Sequence, residues 1–448
     1  MTDHRPPYRA AAIAAVAVLA VYLVTLAPTV TFWDAGEFIA AARTLGIPHP
    51  PGTPLFVLMA HVWGVIFPIG SYAWRQNLLS AILAATAAGC WFLVANDAVV
   101  RQHSDVDSES RRAFGIGTGA AAAALTAFGF TTWQNATETE VYSAAMCTIA
   151  LAAWLTLRWR ATRDESRSAR LLLVILFLGA ISVAIHLMAL LVGPAVIMAM
   201  MLELRANPHA ERARRQQDWA RLWLLGAAWL LLIAIGLGSG SLTIITLVLA
   251  LAAAGLAVRR RQMAFVIVAF AIVAIGVSPY LFLLLRARQG PWLNEANPAT
   301  WHALLDVIRR AQYPVRTPLD DPTVFHGAGN PGRSITILGY QLANYGQYFD
   351  WQWARSIGAP WRASPWRLLI TLLMATVGVH GAFAQKSGDR TSFALVAGLF
   401  AITGIGLVLY MNFKPGPAIG WEHWSDLAQH EVRDRDYFFV GSFVAWGI

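Results

Sequence analysis

The feature that most constrains this chain is a succession of apolar runs, each long enough for a membrane-spanning helix of about 20 residues. They fall at about 9–27, 76–100, 113–132, 141–159, 171–186, 187–204, 221–237, 241–258, 263–285, 366–384 and 392–411. A last run begins near 438 and is cut off at Ile448, so a longer protein or a fragment is expected. Of the 448 residues, 57% are hydrophobic and 13% charged. A soluble domain carries about 45–50% apolar and about 25% charged residues. A surplus of this size cannot be hidden in a soluble core, so the bilayer must serve as solvent. The expected fold is all-α, a polytopic transmembrane helical bundle of about 11–12 spans.

The net charge of +9 does not imply nucleic acid, because the basic residues sit in short loops where they orient helices. Cys90 and Cys147 each lie inside an apolar run, which is neither a disulfide framework nor a metal signature. The first run looks like a signal peptide, but no small-residue cleavage site follows, so it is read as an uncleaved span.

Residues 54–68 are the awkward case. The run is about 15 residues, bounded by Pro50, Pro51, Pro54 and Pro68, and that length suits an interfacial or re-entrant helix. If it does not cross, the basic stretches 101–112, 158–170, 205–221, 259–261 and 386–390 share one side with Arg5 and Arg9. That side, and the N-terminus with it, is then cytoplasmic. If it did cross, Arg5 and Arg9 would oppose all the others. The stretch 171–204 is apolar throughout except His186. As one helix it would measure about 51 Å, so two short spans meeting near His186 are expected.

The outer face then collects residues 28–70, the loop at Asn135 to Tyr142, the His186 turn, and the segments 286–365 and 412–437. The chain divides into a module 1–285 with its first outer loop 28–70, an outer membrane-lying segment 286–365, and C-terminal spans 366–448. The middle segment is too long for a plain connector. Its aromatic content (Trp292, Trp301, Tyr313, Tyr340, Tyr345, Tyr348, Trp351, Trp353) argues for a packed substructure.

Several outer residues have chemistry to offer. Asp34 and Glu37 are three apart and share a helix face; they read as a general base and its partner, or as a cap and capping-box pair. His49 sits in a Pro-bounded turn, as a turn residue or as a donor to phosphate or sugar. Glu138, Glu140 and Tyr142 lie at the mouth of a span, where acids must be paired or solvated. His186 lies at membrane depth. Arg286, Arg288, Arg309, Arg310, Arg316, Arg433 and Arg435 oppose the orientation bias, and guanidinium binds phosphate bidentately; each is otherwise an ordinary surface arginine. Asn135-Ala-Thr137 is a weak glycosylation match. No P-loop, dinucleotide fingerprint, zinc spacing or nucleophile elbow occurs, so ATP hydrolysis is not expected. The set suits a lipid-linked phosphate substrate, whose sugar passes to an acceptor hydroxyl.

At Phe32-Trp-Asp34-Ala-Gly-Glu37-Phe, followed by His49-Pro-Pro-Gly-Thr-Pro-Leu-Phe56, the chain resembles a membrane family. It looks like the bacterial branch of a domain-of-unknown-function family that includes eukaryotic protein O-mannosyltransferases acting on plexin-type domains. More broadly it resembles GT-C glycosyltransferases. Arg75-Gln-Asn77-Leu-Leu-Ser80, Glu140-Val-Tyr142, the His186 turn and Arg435-Asp-Tyr-Phe438 extend the likeness. The resemblance implies a polyprenyl-phosphate sugar donor, mannose as the sugar, and a secreted or envelope acceptor, protein or glycan. It implies a multi-pass protein of the bacterial cytoplasmic (inner) membrane, contacting membrane lipids, with its site on the outer face. Asp34 is implied as catalytic base or metal-contacting group with Glu37 beside it, and Glu138 and Glu140 as a second acidic site. A divalent metal is an open expectation; no other cofactor is expected. The rival readings are a transporter or flippase of lipid-linked sugars, which predicts paired repeats, and a non-catalytic scaffold.

Overall fold

A computed structural model describes residues 5–103, 106–165, 167–209, 211–315, 317–358 and 364–448. Helix α1 (Tyr8–Thr25) leads to the short helices α2 (Ala35–Thr44) and α3 (Pro54–Ile66) and then to α4 (Tyr72–Gln102). Next come α5 (Ser108–Ala127), α6 (Phe130–Thr137), α7 (Val141–Ala161) and α8 (Ser168–Ser182). A 3₁₀ turn, Leu187–Leu191, enters α9 (Val192–Ala206), followed by α10 (Arg212–Gly236), α11 (Gly240–Arg259), α12 (Met263–Val277) and α13 (Tyr280–Ala287). The chain ends with α14 (Trp301–Arg309), α15 (Ile335–Ala354), α16 (Pro365–Gly388), α17 (Arg390–Ala401), α18 (Leu407–Met411) and α19 (Val440–Trp446). Among the described residues the only β pairing is two isolated bridges, Ile47 with Asn294 and Gly416 with Gly420.

The boundaries follow local chemistry. Ser71, Asp107, Ser334, Ser364 and Asp389 each accept a backbone N–H of the first turn that follows, which satisfies donors a helix start leaves open. Pro279 separates α12 from α13, since proline cannot supply an interior N–H. α5 and α6 meet at a 70° bend.

Nine helices among the described residues are long and apolar enough to cross a membrane, or ten if α5 and α6 form one span. The chain is a multi-pass helical membrane protein. The shortfall against the expected 11–12 lies in α8, 15 residues and short of a bilayer core, and in α19, 7 residues. The run 171–204 breaks at residues 183–186, next to His186. α4 and α7 form the centre: 78% and 83% of their apolar windows are buried, against none of α16. Small residues let helices close in. A Cβ at Gly276 would meet the backbone of Ala180 on α8 at 2.4 Å. Gly276→Ala should therefore cost about 1–3 kcal/mol by overpacking. An unaltered unfolding curve in detergent would show that α8 and α12 do not approach this closely.

The two ends of the bundle differ. At one, the basic stretches meet buried acids: Arg160 reaches Asp389 (2.6 Å) and Glu203 (2.9 Å), and Arg163 reaches Glu203 (3.5 Å). At the other, Ala27 N–H donates to Thr137 (3.1 Å), Leu55 N–H to Ala184 (2.9 Å), and Asn77 Nδ2 to Ala27 and Thr29 (2.8 and 3.0 Å). α3 stays at this second end. Its start is tied to Ala184, and its last turns to the start of α4, where Arg75 Nη1 donates to Gly64 and Trp63 Nε1 donates to Arg75. In the middle segment, Tyr345, Tyr348 and Trp351 of α15 pack with Phe439 and Phe443.

Candidate active site

The site is assembled where α2 begins. Asp34 holds the N-cap position of α2 yet makes no side-chain cap hydrogen bond. Its Oδ2 instead accepts from Arg433 Nη2 at 3.1 Å. Glu37, one turn on, points to the turn before α3. Its Oε1 accepts the backbone N–H of His49 (2.6 Å), and its Oε2 faces His49 Nδ1 (2.6 Å). The capping-box reading therefore fails, because both carboxylates have longer-range charged partners that outbid a backbone N–H. Phe38 anchors α2 between His49 and Phe56, with ring centroids 5.6 and 5.5 Å away.

Glu37 positions His49 rather than standing free. Burial acts to lower the basicity of His49, but the hydrogen bond and charge of Glu37 outweigh it, so the imidazole pKa is raised. Burial would raise Glu37, but the same pairing holds it below its ordinary range. Glu295, in the loop whose Leu293 and Glu295 bond to Ile47, touches Glu37, and burial and that neighbouring carboxylate push it up.

These shifts have a stability consequence. A raised histidine stabilises below its unfolded value, near 6.5, and loses that contribution as pH rises through its folded value. A lowered glutamate stabilises above about 4.5 and loses it as pH falls. Glu37→Gln should thus lower the melting temperature most between about pH 4.5 and 6.5 and progressively less in more alkaline buffer. A deficit that is flat with pH would exclude the pairing.

The second acidic pair lies beside Asp34. Thr139 Oγ1 donates to Asn77 Oδ1 (2.6 Å), which fixes the loop before α7. Glu140 is buried, and its Oε2 has no hydrogen-bond partner among the described residues. Burial, then the charges of Asp34 and Glu138, raise it far above the carboxylate range. Glu138 is also raised by burial, with Arg433 opposing. Tyr142 packs on His186 (5.0 Å) and Tyr437 (4.8 Å). His186 is driven down to about 3, by burial first and then by the charges of Arg310 and His49. It is neutral, and its Nδ1 accepts Met188 N–H (3.3 Å), so it caps the 3₁₀ turn rather than offering a cation.

The arginines sort differently from expectation. Arg435 is spent on Glu431 (2.6 Å), while its neighbour Arg433 reaches Asp34. Arg286 donates to the carbonyls of Leu45 and Thr44 and closes the end of α2. Arg288 donates to Ala299. Arg316 lies outside the described residues. Asp34, Glu37, His49, Glu138, Glu140 and Tyr142 thus converge, whereas Arg286, Arg288 and Arg435 serve the surrounding backbone and loop. Sequence reasoning singled out neither Glu295 nor Arg433 above its fellows: one is a lone acid in a long loop, the other one of two arginines in Arg433-Asp-Arg435-Asp. The donor atoms of Asp34, Glu37 and His49 lie within 4.8 Å of one another, a spacing that a divalent cation with carboxylate and imidazole ligands accepts.

Fold and site together define a multi-pass helical membrane protein with a carboxylate–histidine–arginine cluster at one end of the bundle. Residues 34–210 match the family described as Protein O-mannosyl-transferase TMEM260 N-terminal domain, and over that segment the chain is similar to eukaryotic proteins of that name. It is 36% identical to mouse (Mus musculus) Protein O-mannosyl-transferase TMEM260 over 152 residues, 34% of this chain and 20% of the relative. It is 36% identical to Dictyostelium discoideum Protein O-mannosyl-transferase tmem260 over 70 residues, 15% of this chain and 8% of the relative. The chain spans a fifth or less of the length of these relatives. No solved structure matches it. The matched segment contains Asp34, Glu37, His49, Glu138, Glu140 and Tyr142, but neither Glu295 nor Arg433.

Proposed function

We propose that the chain is a membrane glycosyltransferase of GT-C type that moves mannose from a polyprenyl-phosphate donor to a hydroxyl of a secreted or envelope protein. The reaction takes place on the outer face of the cytoplasmic membrane. The observation that carries this reading is the convergence of Asp34, the Glu37–His49 pair and Arg433 at one mouth of the bundle. The acids and His49 of that cluster fall within the segment similar to O-mannosyl-transferases.

Asp34 is the base. Its side chain is 35% exposed, enough for an acceptor to reach it, whereas both Glu37 oxygens are held by His49. Asp34 takes the proton of the acceptor hydroxyl as that oxygen bonds to the anomeric carbon. The bond from that carbon to the phosphate oxygen breaks, and polyprenyl phosphate leaves with the electron pair. His49, whose basicity Glu37 raises, and Arg433 would stabilise the negative charge that develops on the phosphate. The tail would lie along exposed aromatic surface: Phe32 and Trp33 adjoin Asp34 and are 89% and 56% exposed. The crevice beneath Tyr142, lined by Ala84, Ala87, Trp91 and Val444, has only about 20 Å³ of free space and is too narrow for an isoprenoid chain.

The direct test is transfer of labelled mannose from polyprenyl-phosphate mannose to a secreted acceptor by membranes with and without this chain. Equal transfer in both, or transfer from a nucleotide sugar when lipid donor is depleted, would sink the assignment.

A further inference from the structure

Arg433 is held in a way that suits a group that changes partners. One nitrogen, Nη2, serves Asp34, and Nε donates to Tyr437 Oη at 3.1 Å. Among the described residues the third nitrogen, Nη1, has no hydrogen-bond partner. The guanidinium lies over the Trp33 ring, 4.9 Å from its centroid, and over Tyr437 at 4.5 Å. These aromatic faces fix the plane of the fork and leave Nη1 free; together with Nη2, which serves Asp34, it makes the edge by which guanidinium binds phosphate bidentately. Burial would depress the charged form, yet the arginine stays a cation because Tyr437, Asp34 and Glu140 all favour its charge.

The surroundings demand such a cation. Asp34 and Glu138 lie close enough to Arg433 to feel its charge, so a phosphate entering beside the Asp34 carboxylate is repelled unless an arginine receives it. Other arginines proposed from the sequence have partners of their own. Arg435 is committed to Glu431, Arg286 and Arg288 to backbone carbonyls, and Arg310 to the carbonyl of Gly236 at 3.3 Å.

We propose that Arg433 binds the phosphate of a lipid-linked donor by exchange: it is paired with Asp34 in this structure and passes to the phosphate on donor binding, releasing the Asp34 carboxylate for the acceptor hydroxyl. The proposal rests on the glycosyltransferase reading. It adds a residue from outside the matched segment and makes Asp34 and the donor phosphate competitors for one guanidinium.

Competition leaves a signature that a merely structural arginine would not. The experiment is equilibrium binding of undecaprenyl phosphate, the sugar-free lipid phosphate, to the full chain in nanodiscs. Arg433→Gln should weaken binding about tenfold or more, the loss of a charge-assisted pair, and Arg433→Lys should recover part of it. Asp34→Asn should bind the lipid about two- to fivefold more tightly than wild type, since a partly exposed ion pair no longer competes, although its sugar transfer should fall about a hundredfold or more. Inorganic phosphate should compete only at far higher concentration. Unchanged or weaker binding by Asp34→Asn would overturn the exchange, as would undiminished binding by Arg433→Gln and Arg433→Lys. Inorganic phosphate as potent as the lipid would overturn the lipid-linked source. The glycosyltransferase reading fails separately, if membranes with and without the chain transfer mannose equally from the lipid donor.

Discussion

Asp34→Asn should reduce sugar transfer by about a hundredfold or more, the usual loss when a positioned general base is removed, while the bundle stays folded. Asparagine has nearly the same volume and remains a good residue at a helix N-cap, so α2 keeps its start. What disappears is the charge opposite Arg433. That pair is partly exposed on the Asp34 side, and pairs of this kind contribute at most about 1 kcal/mol. Stability should therefore barely move while activity collapses. The check is transfer rate and melting temperature on the same preparation. Full transfer with intact folding would remove Asp34 from the chemistry, and parallel loss of both would make it a structural residue.

Arg367→Met should destabilise the protein by about 3–5 kcal/mol, the cost of leaving a buried charge without its counterion. Arg367 near the start of α16 grips Asp350 of α15, with both side chains almost wholly buried, and Thr371 Oγ1 donates to the other Asp350 oxygen at 2.7 Å. The pair fastens the end of the middle segment to a helix long and apolar enough to span. Removing both charges, as Arg367→Met with Asp350→Leu, should recover much of the loss, because well-packed apolar pairs of similar size often equal buried ion pairs. Thermal unfolding of the two single variants and the double variant decides the matter. A double variant no more stable than Arg367→Met alone would mean that the pair does not carry the junction.

The parts of this fold that were legible in the sequence are those governed by local pattern. Apolar runs gave helix positions, and His186 marked the break in 171–204 because one helix of that length overshoots a bilayer core. The placement of residues 54–68 was legible too, since a crossing there would have set Arg5 and Arg9 against every other basic loop. The pairings were not. Asp34, Ala-Gly and Glu37 have a spacing that permits a capping box, and nothing local shows that His49 and Arg433 claim those carboxylates first. Arg433 and Arg435 are indistinguishable by type and setting, and only the packed loop decides which meets Asp34 and which meets Glu431. Glu295 is invisible for the same reason: its partner is Glu37, brought close by the Ile47–Asn294 bridge.

Asp34 and Arg433 are 399 residues apart. A ribosome delivers Asp34, Glu37 and His49 of the proposed site with the turns around α2, but the cation that pairs with Asp34 emerges only after α17 and α18 have been made. Nascent chains inserted up to α15 would thus hold the base and the Glu37–His49 pair without their arginine. The order of synthesis withholds the proposed partner of Asp34 until α18 has been made.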